Sequence, residues 1–362
     1  MKRYFSALLS AACLMTALAG CTIGGADTSS TETTTAASTT TTTTTTTTQK
    51  PTTTTTKKPL ELNPLTGLKE LEPGSSTRAI GIMIGNDSKS RPQYGIDKAD
   101  WFFEADTEGG ITRIMAVFTD PARVPAKLGP VRSARTPFVL LAESLDLIYA
   151  HAGGSKAALS ALEERDMADM NALIYDGSTF WRDKTLRAQK GYEYSMLTSG
   201  SRLSSLAKKR NFRTQTRDRR PGTFDGDPAT GDKATTLQCR VSYGQTVNFK
   251  YYPEEGLYYK RNGTLGNPST HATAAGVQLA VSNVVVLFDR RYAENDTTST
   301  FELKSGSGLL FTAGRAREIR WSRSANSLKF TEENGDTARL STGKTYVCLV
   351  DRNLREDTFY RE

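Results

Sequence analysis

The chain has 362 residues, a formal net charge of +8 and 24% charged residues. Its length allows about two domains, each with an apolar core of its own. The basic excess is small and is spread along the chain, so the composition does not indicate a nucleic-acid-binding protein, and we expect no nucleic acid partner. After the N-terminal apolar segment, no stretch of the sequence is long and apolar enough to cross a membrane.

Residues 1–20 have the pattern of a lipoprotein signal peptide. Lys2 and Arg3 form a basic start, and residues 4–18 are apolar. This segment is too short to span a bilayer comfortably but suits the core of a signal peptide. It ends in Leu18-Ala-Gly-Cys21, where small residues precede a cysteine, as in the signal of bacterial lipoproteins.

The signal predicts that Cys21 is lipidated and becomes the mature N-terminus. A diacylglyceryl thioether has two acyl chains, which anchor a protein stably, whereas a single chain binds a membrane reversibly. The alternative is an ordinary secretory signal with an incidental cysteine. We therefore expect an extracytoplasmic protein that is lipid-anchored to the bacterial cell membrane.

Residues 21–59 are predicted to form a disordered tether. Residues 33–56 are almost entirely threonine, with an unbroken run at 39–48. This composition cannot build an apolar core. A flexible linker of this length reaches roughly 35 Å, and β-branched side chains stiffen it further. The tether is long enough to hold a domain above a membrane, within or across a wall layer.

Residues 60–213 have the mixed pattern of an α/β domain with a mixed sheet. Its predicted strands are at 79–84, 101–105, 114–118 and 147–150. One predicted helix follows the N-cap Thr136, and two more cover residues 156–165 and 201–210. Residues 108–113 are predicted as a turn between two of the strands.

The C-terminal part is predicted to be a smaller β-rich domain over residues 236–362. Apolar residues alternate there with a period of two, and Asn-Gly turns at 262–263 and 334–335 separate the strands. Residues 214–235 are polar and rich in Arg, Gly and Pro. They are predicted to form an interdomain loop whose charges face solvent.

The remaining cysteines, Cys239 and Cys348, each lie in a predicted strand. We expect two buried thiols, with a disulfide as the alternative that the sequence leaves open. The chain has two histidines, His151 and His271, and no metal-ligand spacing. We therefore expect no metal site and no cofactor.

The stretch from Gly129 to Ser155 contains the main candidate site. Thr136 is predicted as the N-cap of one helix and Ser155 as the N-cap of the next. If the strands at 114–118 and 147–150 are parallel, both helix starts open on the same edge of the sheet. Helix N-termini attract anions, so this edge is a candidate anion site.

Arg132, Arg135 and His151 lie beside the two predicted helix starts. The arginines can form a fork for a carboxylate or a phosphate. Alternatively, they form structural ion pairs with acidic residues of the preceding strand: Glu104, Asp106 and Glu108. Both interpretations can hold together, because acidic neighbours also orient an arginine that binds a ligand.

Catalysis is the competing interpretation of the same residues. Glu104, Asp106 and Glu108 alternate along a strand and can share a face, and paired carboxylates serve glycoside hydrolysis. His151 can act as a general base with Ser155 as a nucleophile, although the Gly-x-Ser-x-Gly elbow is absent. A solvated strand face, a hydrogen-bonded histidine and a capping serine explain the same residues. We assign no catalytic residue.

Several motifs resemble the YerB-type family of bacterial envelope lipoproteins, whose domains have no known function. The motifs are NPLTG at 63–67, RPQ at 91–93, EGGITR at 108–113, GPVRSAR at 129–135, HAGGS at 151–155, FWRD at 180–183, NVVV at 283–286 and GSG at 306–308. The resemblance covers nearly all of residues 60–362. It implies an N-terminal α/β domain, a smaller C-terminal domain and a membrane anchor, but no established reaction, cofactor or ligand.

The motifs extend the set of candidate ligand-binding residues. The full set is Glu104, Glu108, Arg91, Arg113, Arg132, Arg135, His151, Ser155, Arg182 and Asp183. The chain departs from the family pattern in two places. It has AQKGY at 188–192, where relatives tend to carry Pro-His-Asn, and HAT at 271–273, where relatives tend to carry His-x-Asp. We therefore do not assign to this chain any function of the family that depends on those polar residues.

These patterns together predict a lipid-anchored protein with a non-catalytic binding or accessory role at the cell envelope. The expected ligand is anionic: a wall peptide carboxylate, a teichoic-acid-type phosphate or an acidic protein segment. The alternative is a wall-directed hydrolase or transferase that uses Glu104, Glu108 or His151. A third interpretation is a structural module whose β-rich domain binds another envelope protein.

Overall fold

A computed structural model describes residues 58–76, 78–224 and 230–362. The predicted signal peptide, Cys21 and residues 22–57 of the predicted tether lie outside the described residues. In the part that is described, no helix is long and apolar enough to span a membrane.

The helices of the described residues all lie in the N-terminal part. They are α1 (Thr136–Ser144), α2 (Lys156–Glu164), α3 (Lys184–Lys190) and α4 (Gly200–Lys209). Short 3-10 turns occur at Ile96–Lys98, Pro121–Arg123, Tyr192–Tyr194 and Arg352–Asp357.

Strands occur throughout the described chain. Up to residue 213 they are β1 (Glu61–Leu62), β2 (Lys69–Leu71), β3 (Ile80–Gly85), β4 (Trp101–Glu108), β5 (Ile111–Phe118), β6 (Ile148–His151), β7 (Asp169–Asn171), β8 (Phe180–Arg182) and β9 (Met196–Thr198). Beyond it they are β10 (Asp232–Lys233), β11 (Thr236–Ser242), β12 (Gln245–Tyr252), β13 (Leu257–Asn262), β14 (Ser269–Thr270), β15 (Ala280–Val281), β16 (Asn283–Asp289), β17 (Arg291–Ala293), β18 (Ser299–Phe301), β19 (Ser305–Thr312), β20 (Arg315–Ser324), β21 (Ser327–Thr331), β22 (Thr345–Asp351) and β23 (Phe359–Arg361).

A large mixed sheet organises the molecule. In the described residues it has eleven strands in the order β10-β20-β19-β16-β22-β4-β5-β3-β6-β7, with β21 on β20. Four of its pairs are parallel, namely β16 with β22, β22 with β4, β3 with β6 and β6 with β7. The predicted fold class, an α/β part with a mixed sheet followed by a strand-rich part, is confirmed.

The two faces of the large sheet have separate apolar cores. Successive residues of a strand point to opposite faces, so Ile82 belongs to one core and Met83 to the other. The core on the Met83 face includes Phe138 of α1 and Leu162 of α2. The core on the Ile82 face includes Leu203 of α4 and Phe249 of a smaller antiparallel sheet. The smaller sheet has the order β14-β13-β12-β11-β23, with β15 on β13.

Strands from both sequence regions meet in the large sheet. C-terminal β22 pairs in parallel with N-terminal β4 from Thr345–Trp101 to Leu349–Ala105. By their contacts, the described residues from 58 onward form one compact unit. The α/β region and the β-rich region therefore share one sheet.

The sequence predicts that the charges of residues 214–235 face solvent. In the structure, not all of them do. The Nη1 group of Arg219 donates to the carbonyl oxygens of Glu143 at 2.6 Å and Ala325 at 3.1 Å. Glu143 lies in the last turn of α1, and its carbonyl also accepts from the amide of Asp146 at 3.1 Å. The prediction was wrong for Arg219, whose guanidinium is held at this end of the helix.

The predicted helix starts were partly correct. Ser155 caps α2, since its Oγ accepts a hydrogen bond from the amide of Ala158 at 3.2 Å. Thr136 does not cap α1, because Arg135 occupies the N-cap position without a side-chain hydrogen bond. The predicted turn at 108–113 is shorter than expected, because β5 already begins at Ile111.

The two strands that precede these helices are not parallel. β5 is antiparallel to β3, and β3 is parallel to β6. Both helices nevertheless begin at one edge, because residues 119–135 run back across the sheet. Val131 bridges to Ile84 of β3, and Ala134 bridges to Gly154 ahead of α2. The returning connection, rather than parallel strand ends, brings the two helix starts together.

Candidate functional site

An arginine-lined cleft lies where β3, β4 and β6 end and β5 begins. Its volume is about 390 Å³. The residues that line it are Glu108, Arg113, Val131, Arg132, Ser133, Arg135, Ala152, Leu173, Arg182, Tyr192, Glu193 and Met196. We call this surface the first cleft.

Backbone hydrogen bonds fix the segment that carries Arg132. The amide of Arg132 donates to the carbonyl of Met83 at 2.9 Å, and the amide of Gly85 donates to the carbonyl of Pro130 at 3.1 Å. On its other side, the amide of Val131 donates to the carbonyl of Met196 at 2.8 Å. The arginine therefore extends from a backbone that is held on both sides.

Gly85 makes room for the side chain of Arg132. A Cβ atom at residue 85 would lie 2.2 Å from Oγ of Ser90 and 2.9 Å from Cγ of Arg132. Both distances are shorter than van der Waals contact, so a larger residue would displace one of these side chains. The glycine thus places Arg132 over the end of β3.

Glu108 lies between two arginines. Its Oε1 accepts a hydrogen bond from Nη2 of Arg113, and its Oε2 accepts from Nε of Arg135 at 2.7 Å and also from Nη2 of Arg135. Further donors of these arginines bind the carbonyls of Ser133 at 3.1 Å and Ala134 at 2.8 Å. One carboxylate therefore orients two guanidinium groups and leaves one positive charge in excess.

Arg113 is the most deeply buried of the cleft arginines, with a side chain that is 4% exposed. Burial, assisted by the nearby charge of Arg135, lowers its pKa to about 10. The group is still protonated at neutral pH, and Glu108 offsets part of the cost of its burial. Arg113 thus adds a fixed charge behind the surface of the cleft.

Arg132 has a weaker and more exposed partner. Its Nη1 donates to the carbonyl oxygen of Glu193 at 3.0 Å and to Oε2 of Glu193 at 3.1 Å. Its guanidinium lies over the ring of Tyr194 at 4.9 Å. Its Nε is buried and has no hydrogen-bond partner among the described residues. Within the described residues only Nη1 of the Arg132 guanidinium forms hydrogen bonds, so Nη2 retains donor capacity for a further acceptor.

Arg182 forms another wall of the first cleft. It lies over the ring of Tyr192 at 3.4 Å and donates from Nη1 to the carbonyl of Tyr192 at 2.7 Å. Its Nε is 3.4 Å from Oδ2 of Asp176. Tyr192, Glu193 and Tyr194 together form one 3-10 turn, so a single turn supplies partners to both arginines.

The residues that line the first cleft have a net positive charge. Among the described residues that line it, four are arginines and two are glutamates, a formal charge of +2. Fixed arginines in a concave surface attract anions and bind carboxylate or phosphate oxygens through paired donors. The arrangement is suited to binding an anionic group.

The structure brings together five of the sequence-predicted candidates. Those that line the first cleft are Glu108, Arg113, Arg132, Arg135 and Arg182. Glu104, Arg91, His151, Ser155 and Asp183 are not among its lining residues. The sequence motifs do not predict that the turn at Tyr192–Tyr194 contributes to the site. Its pattern of two tyrosines flanking a glutamate was the available signal.

His151 is completely buried and does not reach the first cleft. Its Nδ1 lies 2.7 Å from the carbonyl oxygen of Gly153, and its Nε2 lies 3.2 Å from Oδ2 of Asp169. Its ring stacks on Tyr149 at 5.4 Å. The interpretation of His151 as a buried, hydrogen-bonded residue therefore fits the structure better than a role as a general base for Ser155.

The three acidic residues of β4 have separate surroundings. Glu104 accepts hydrogen bonds from Asn86 at 2.7 Å and from the hydroxyl of Tyr346 at 2.6 Å. Asp106 instead pairs with Arg291 at 2.6 Å. A register shift between Asp106 and Glu108 breaks the alternation of the strand. The bulge follows Asp106, so the alternation of Glu104 and Asp106 is unbroken and only Glu108 departs from it. The expectation of one shared face was therefore wrong for Glu108, which alone of the three lines the first cleft.

Asp183 and Arg91 have other roles. Asp183 is the N-cap of α3, where its Oδ1 accepts from the amide of Leu186 at 3.0 Å, and this bond holds its pKa below the usual range. The Nη1 group of Arg91 is buried and lacks a hydrogen-bond partner within the described residues. Its charge helps to lower the pKa of His271, so Arg91 lies near a second polar cluster.

The comparisons with known proteins decide the family. Residues 65–213 match the N-terminal domain, and residues 237–347 the C-terminal domain, of a protein of unknown function (DUF3048). The chain belongs to the DUF3048 family. The family resemblance that the sequence motifs indicated is thus confirmed.

Relatives of this DUF3048 chain are found in Bacillus subtilis. The chain is 31% identical over 296 residues to "Putative lipoprotein YerB" of strain 168, covering 79% of this chain and 85% of the relative. It also resembles the crystal structure of the YerB protein from Bacillus subtilis. That match has a TM-score of 0.71 and 27% identity and covers 83% of this chain and 100% of the solved chain.

A buried polar cluster joins the two sheets of this DUF3048 chain. Lys260 of β13 is 1% exposed. Its Nζ lies 2.9 Å from Nδ1 of His271, 3.1 Å from Oδ1 of Asn262 and 3.7 Å from Oε2 of Glu104. Nε2 of His271 lies 3.0 Å from Oε1 of Gln93. The cluster is satisfied internally, which explains why Glu104 is unavailable to the cleft.

Cys239 and Cys348 are buried free thiols in the structure. Burial, together with the neighbouring Cys239, raises the pKa of Cys348 well above its usual range. These thiols behave as small apolar groups of the core. Within the described part of the chain, no group of three or more His, Cys, Asp or Glu side chains is arranged to hold a metal ion.

Proposed function

We propose that this chain is a lipid-anchored extracytoplasmic protein whose first cleft binds an anionic group of the cell envelope. The observation that carries the proposal is the convergence of Arg113, Arg132, Arg135 and Arg182 on one cleft with a formal charge of +2. The ligand is a carboxylate or phosphate that belongs to a wall component or to a protein partner.

The anchor is proposed from the sequence and from a relative. Leu18-Ala-Gly-Cys21 stands at the end of an apolar signal segment, and a relative that is 31% identical is named a lipoprotein. A diacylglyceryl group on Cys21 would hold the chain at the outer face of the membrane. The threonine-rich residues that follow would allow the folded part to reach envelope material.

Binding requires little rearrangement of the arginines. Glu108 holds Arg113 and Arg135 in position, so their side chains lose little conformational freedom when a ligand arrives. Arg132 is bonded to Glu193, whose side chain is 69% exposed. An exposed ion pair of this kind contributes little energy, so an incoming oxyanion can replace the carboxylate of Glu193.

A binding role accounts for the geometry better than catalysis does. Both carboxylate oxygens of Glu108 are occupied by arginines. Glu104 and His151 are completely buried and do not line the first cleft. A general acid or base must reach the proton that it transfers, so we propose recognition rather than turnover.

The binding test uses the purified Cys21→Ser variant, which lacks the thiol that would carry the lipid. We expect it to sediment with purified wall material at low salt. The double substitution Arg132→Ala plus Arg135→Ala should weaken this binding by about tenfold or more, because two charge-assisted contacts are lost. Unchanged binding in the double variant would exclude the first cleft as the site.

A matched control removes two exposed arginines elsewhere. Arg217 and Arg220 are exposed and lie outside the first cleft. The variant Arg217→Ala plus Arg220→Ala changes the net charge by the same amount and should bind as the unsubstituted protein does. An equal loss in both double variants would indicate general charge attraction instead of recognition by the cleft.

The anchor has its own test. In cells, the unsubstituted protein should fractionate with membranes, and its N-terminal peptide should carry the mass of a diacylglyceryl group. Cys21→Ser should lose this mass, because the acceptor thiol is gone. An unsubstituted protein whose N-terminal peptide lacks the diacylglyceryl mass would contradict lipidation at Cys21.

A further inference from the structure

A second cleft lies beside the first and shares part of its wall. Its volume is about 230 Å³. Three lining residues are common to both clefts: Glu108, Arg113 and Arg132. The second cleft adds the loop after β3, with Asp87, Ser88 and Lys89, and also Ile111 and Tyr194.

Arg132 and Tyr194 lie at the junction of the two clefts. The guanidinium of Arg132 is 4.9 Å from the centre of the Tyr194 ring, and Nζ of Lys89 is 5.9 Å from the same centre. Tyr194 therefore connects a cation of the shared wall with a cation of the second cleft. Positive charge continues from Arg182 and Arg135 through Arg132 to Lys89.

The acidic side chains of this surface are mostly engaged within the protein. Oδ1 of Asp87 accepts from the amides of Lys89 at 3.0 Å and Ser90 at 3.1 Å, and its Oδ2 accepts from the hydroxyl of Ser90 at 2.7 Å. Glu108 is bonded to Arg113 and Arg135. In the described lining of both clefts, five cations thus face three carboxylates, a formal charge of +2.

We propose that the two clefts form one groove that binds a linear polyanion, with successive oxyanion groups in the first and second clefts and Arg132 between them. This inference rests on the anion-binding function proposed above and specifies its ligand class. A single carboxylate or phosphate needs only the first cleft. A chain with repeated charges engages both, and its second contact is intramolecular and therefore strengthens binding.

The repeated groups are phosphodiesters or carboxylates, and both chemistries fit arginine donors. An exposed aromatic side chain accompanies the cations, since Tyr192 is 53% exposed although Arg182 covers part of its ring. Such a side chain can pack on the polyol or sugar units that separate the charges of an envelope polymer. The experiment includes one probe for each kind of oxyanion.

The test measures calorimetric binding to the full-length Cys21→Ser protein. The probes are inorganic phosphate, linear polyphosphate and oligoglutamate. We expect at least one polymer to bind about tenfold more tightly than inorganic phosphate, as two linked contacts should. The polymer that binds more tightly identifies phosphate or carboxylate as the preferred group.

Lys89→Met tests the second cleft separately. It should weaken polymer binding by about threefold or more, since one charge contact is lost, and it should leave the binding of inorganic phosphate unchanged. The matched control is Lys250→Met, because Lys250 also lies over a tyrosine ring, 5.3 Å from the centre of Tyr252, but does not line either cleft.

The outcomes separate the two proposals. If inorganic phosphate binds as tightly as both polymers, or if Lys89→Met has no effect, the extended groove is wrong and the first cleft stands. If Lys250→Met weakens the polymer as much as Lys89→Met, general surface charge explains the binding and the groove is also wrong. If none of the three probes binds, the anion-binding function itself fails.

Discussion

Arg132 and Glu193 form an ion pair with unequal exposure. The distance from Nη1 to Oε2 is 3.1 Å, and the side chain of Arg132 is 15% exposed whereas that of Glu193 is 69% exposed. The arginine is held by its backbone and by Tyr194, but the carboxylate is free to turn into solvent. Glu193 therefore competes with any anion that approaches Arg132.

Glu193→Gln should strengthen anion binding by roughly two- to fivefold, because an exposed ion pair is worth up to about 1 kcal/mol. Calorimetric titration with inorganic phosphate measures the change. Glu164→Gln is the matched control, since Glu164 is a similarly exposed partner of Arg165 at 3.5 Å and lies outside the cleft. Weaker binding in Glu193→Gln would show that Glu193 supports the site instead of competing for it.

Glu108→Gln should destabilise the protein. The substitution leaves Arg113 buried beside Arg135 without their shared carboxylate, which costs about 1–3 kcal/mol after allowance for the partial exposure of Glu108. Urea unfolding monitored by tryptophan fluorescence measures the loss. Glu193→Gln, at an exposed position, should change the free energy of unfolding by less than about 0.5 kcal/mol, and equal effects of the two substitutions would contradict the assignment.

Gly85→Ala should both destabilise the protein and weaken anion binding. The new Cβ would overlap Ser90 and Arg132, and overpacking of this kind costs about 1–3 kcal/mol. Gly266→Ala is a suitable control, because its nearest neighbour, Oγ1 of Thr264, would be 4.0 Å away. A Gly85→Ala protein that binds phosphate normally would contradict the conclusion that Gly85 is needed to place Arg132.

The free energy of unfolding should fall as the pH decreases below about 6.5. Burial and the charge of Lys260 hold the pKa of His271 well below its ordinary value. In this pH range the unfolded histidine takes up a proton and the folded one does not, so acid favours the unfolded chain. The contribution reaches about 1.4 kcal/mol for each pH unit.

Urea unfolding between pH 7.5 and 5.5 tests the role of His271. His271→Gln should reduce the pH dependence relative to the unsubstituted protein, although it also removes hydrogen bonds to Lys260 and Gln93. The comparison uses the slope against pH, because the charged neighbours of His271, Lys260 and Arg91, are common to both proteins. Identical slopes would mean that His271 does not determine the acid sensitivity.

Local patterns predicted much of the fold. The cap at Ser155 and the strand at Ile148–His151 follow from residues that are close in sequence, where hydrogen bonding and alternation act directly. The pairing of Arg135 with Glu108 was among the open alternatives, because only a few types of partner suit a partly buried arginine. The family motifs added Arg113 and Arg182.

The rest depended on contacts that sequence spacing does not encode. Arg132 meets Glu193 across 61 residues, and Glu104 meets Tyr346 across 242 residues. The bulge after Asp106 also changes which side chain faces the cleft, and alternation alone cannot reveal an extra residue. Lys260 had a detectable signal, since it occupies an inward position between Tyr258 and Asn262 in an alternating strand.

The position of β22 has a consequence for biosynthesis. β4 lies between β5 and β22 in the large sheet, yet β22 spans Thr345–Asp351, near the end of the chain. Until β22 has joined the sheet, one backbone edge of β4 lacks its native neighbour, and such edges recruit other strands. A chain truncated before residue 345 should therefore aggregate or be degraded, even though every residue of the first cleft is present.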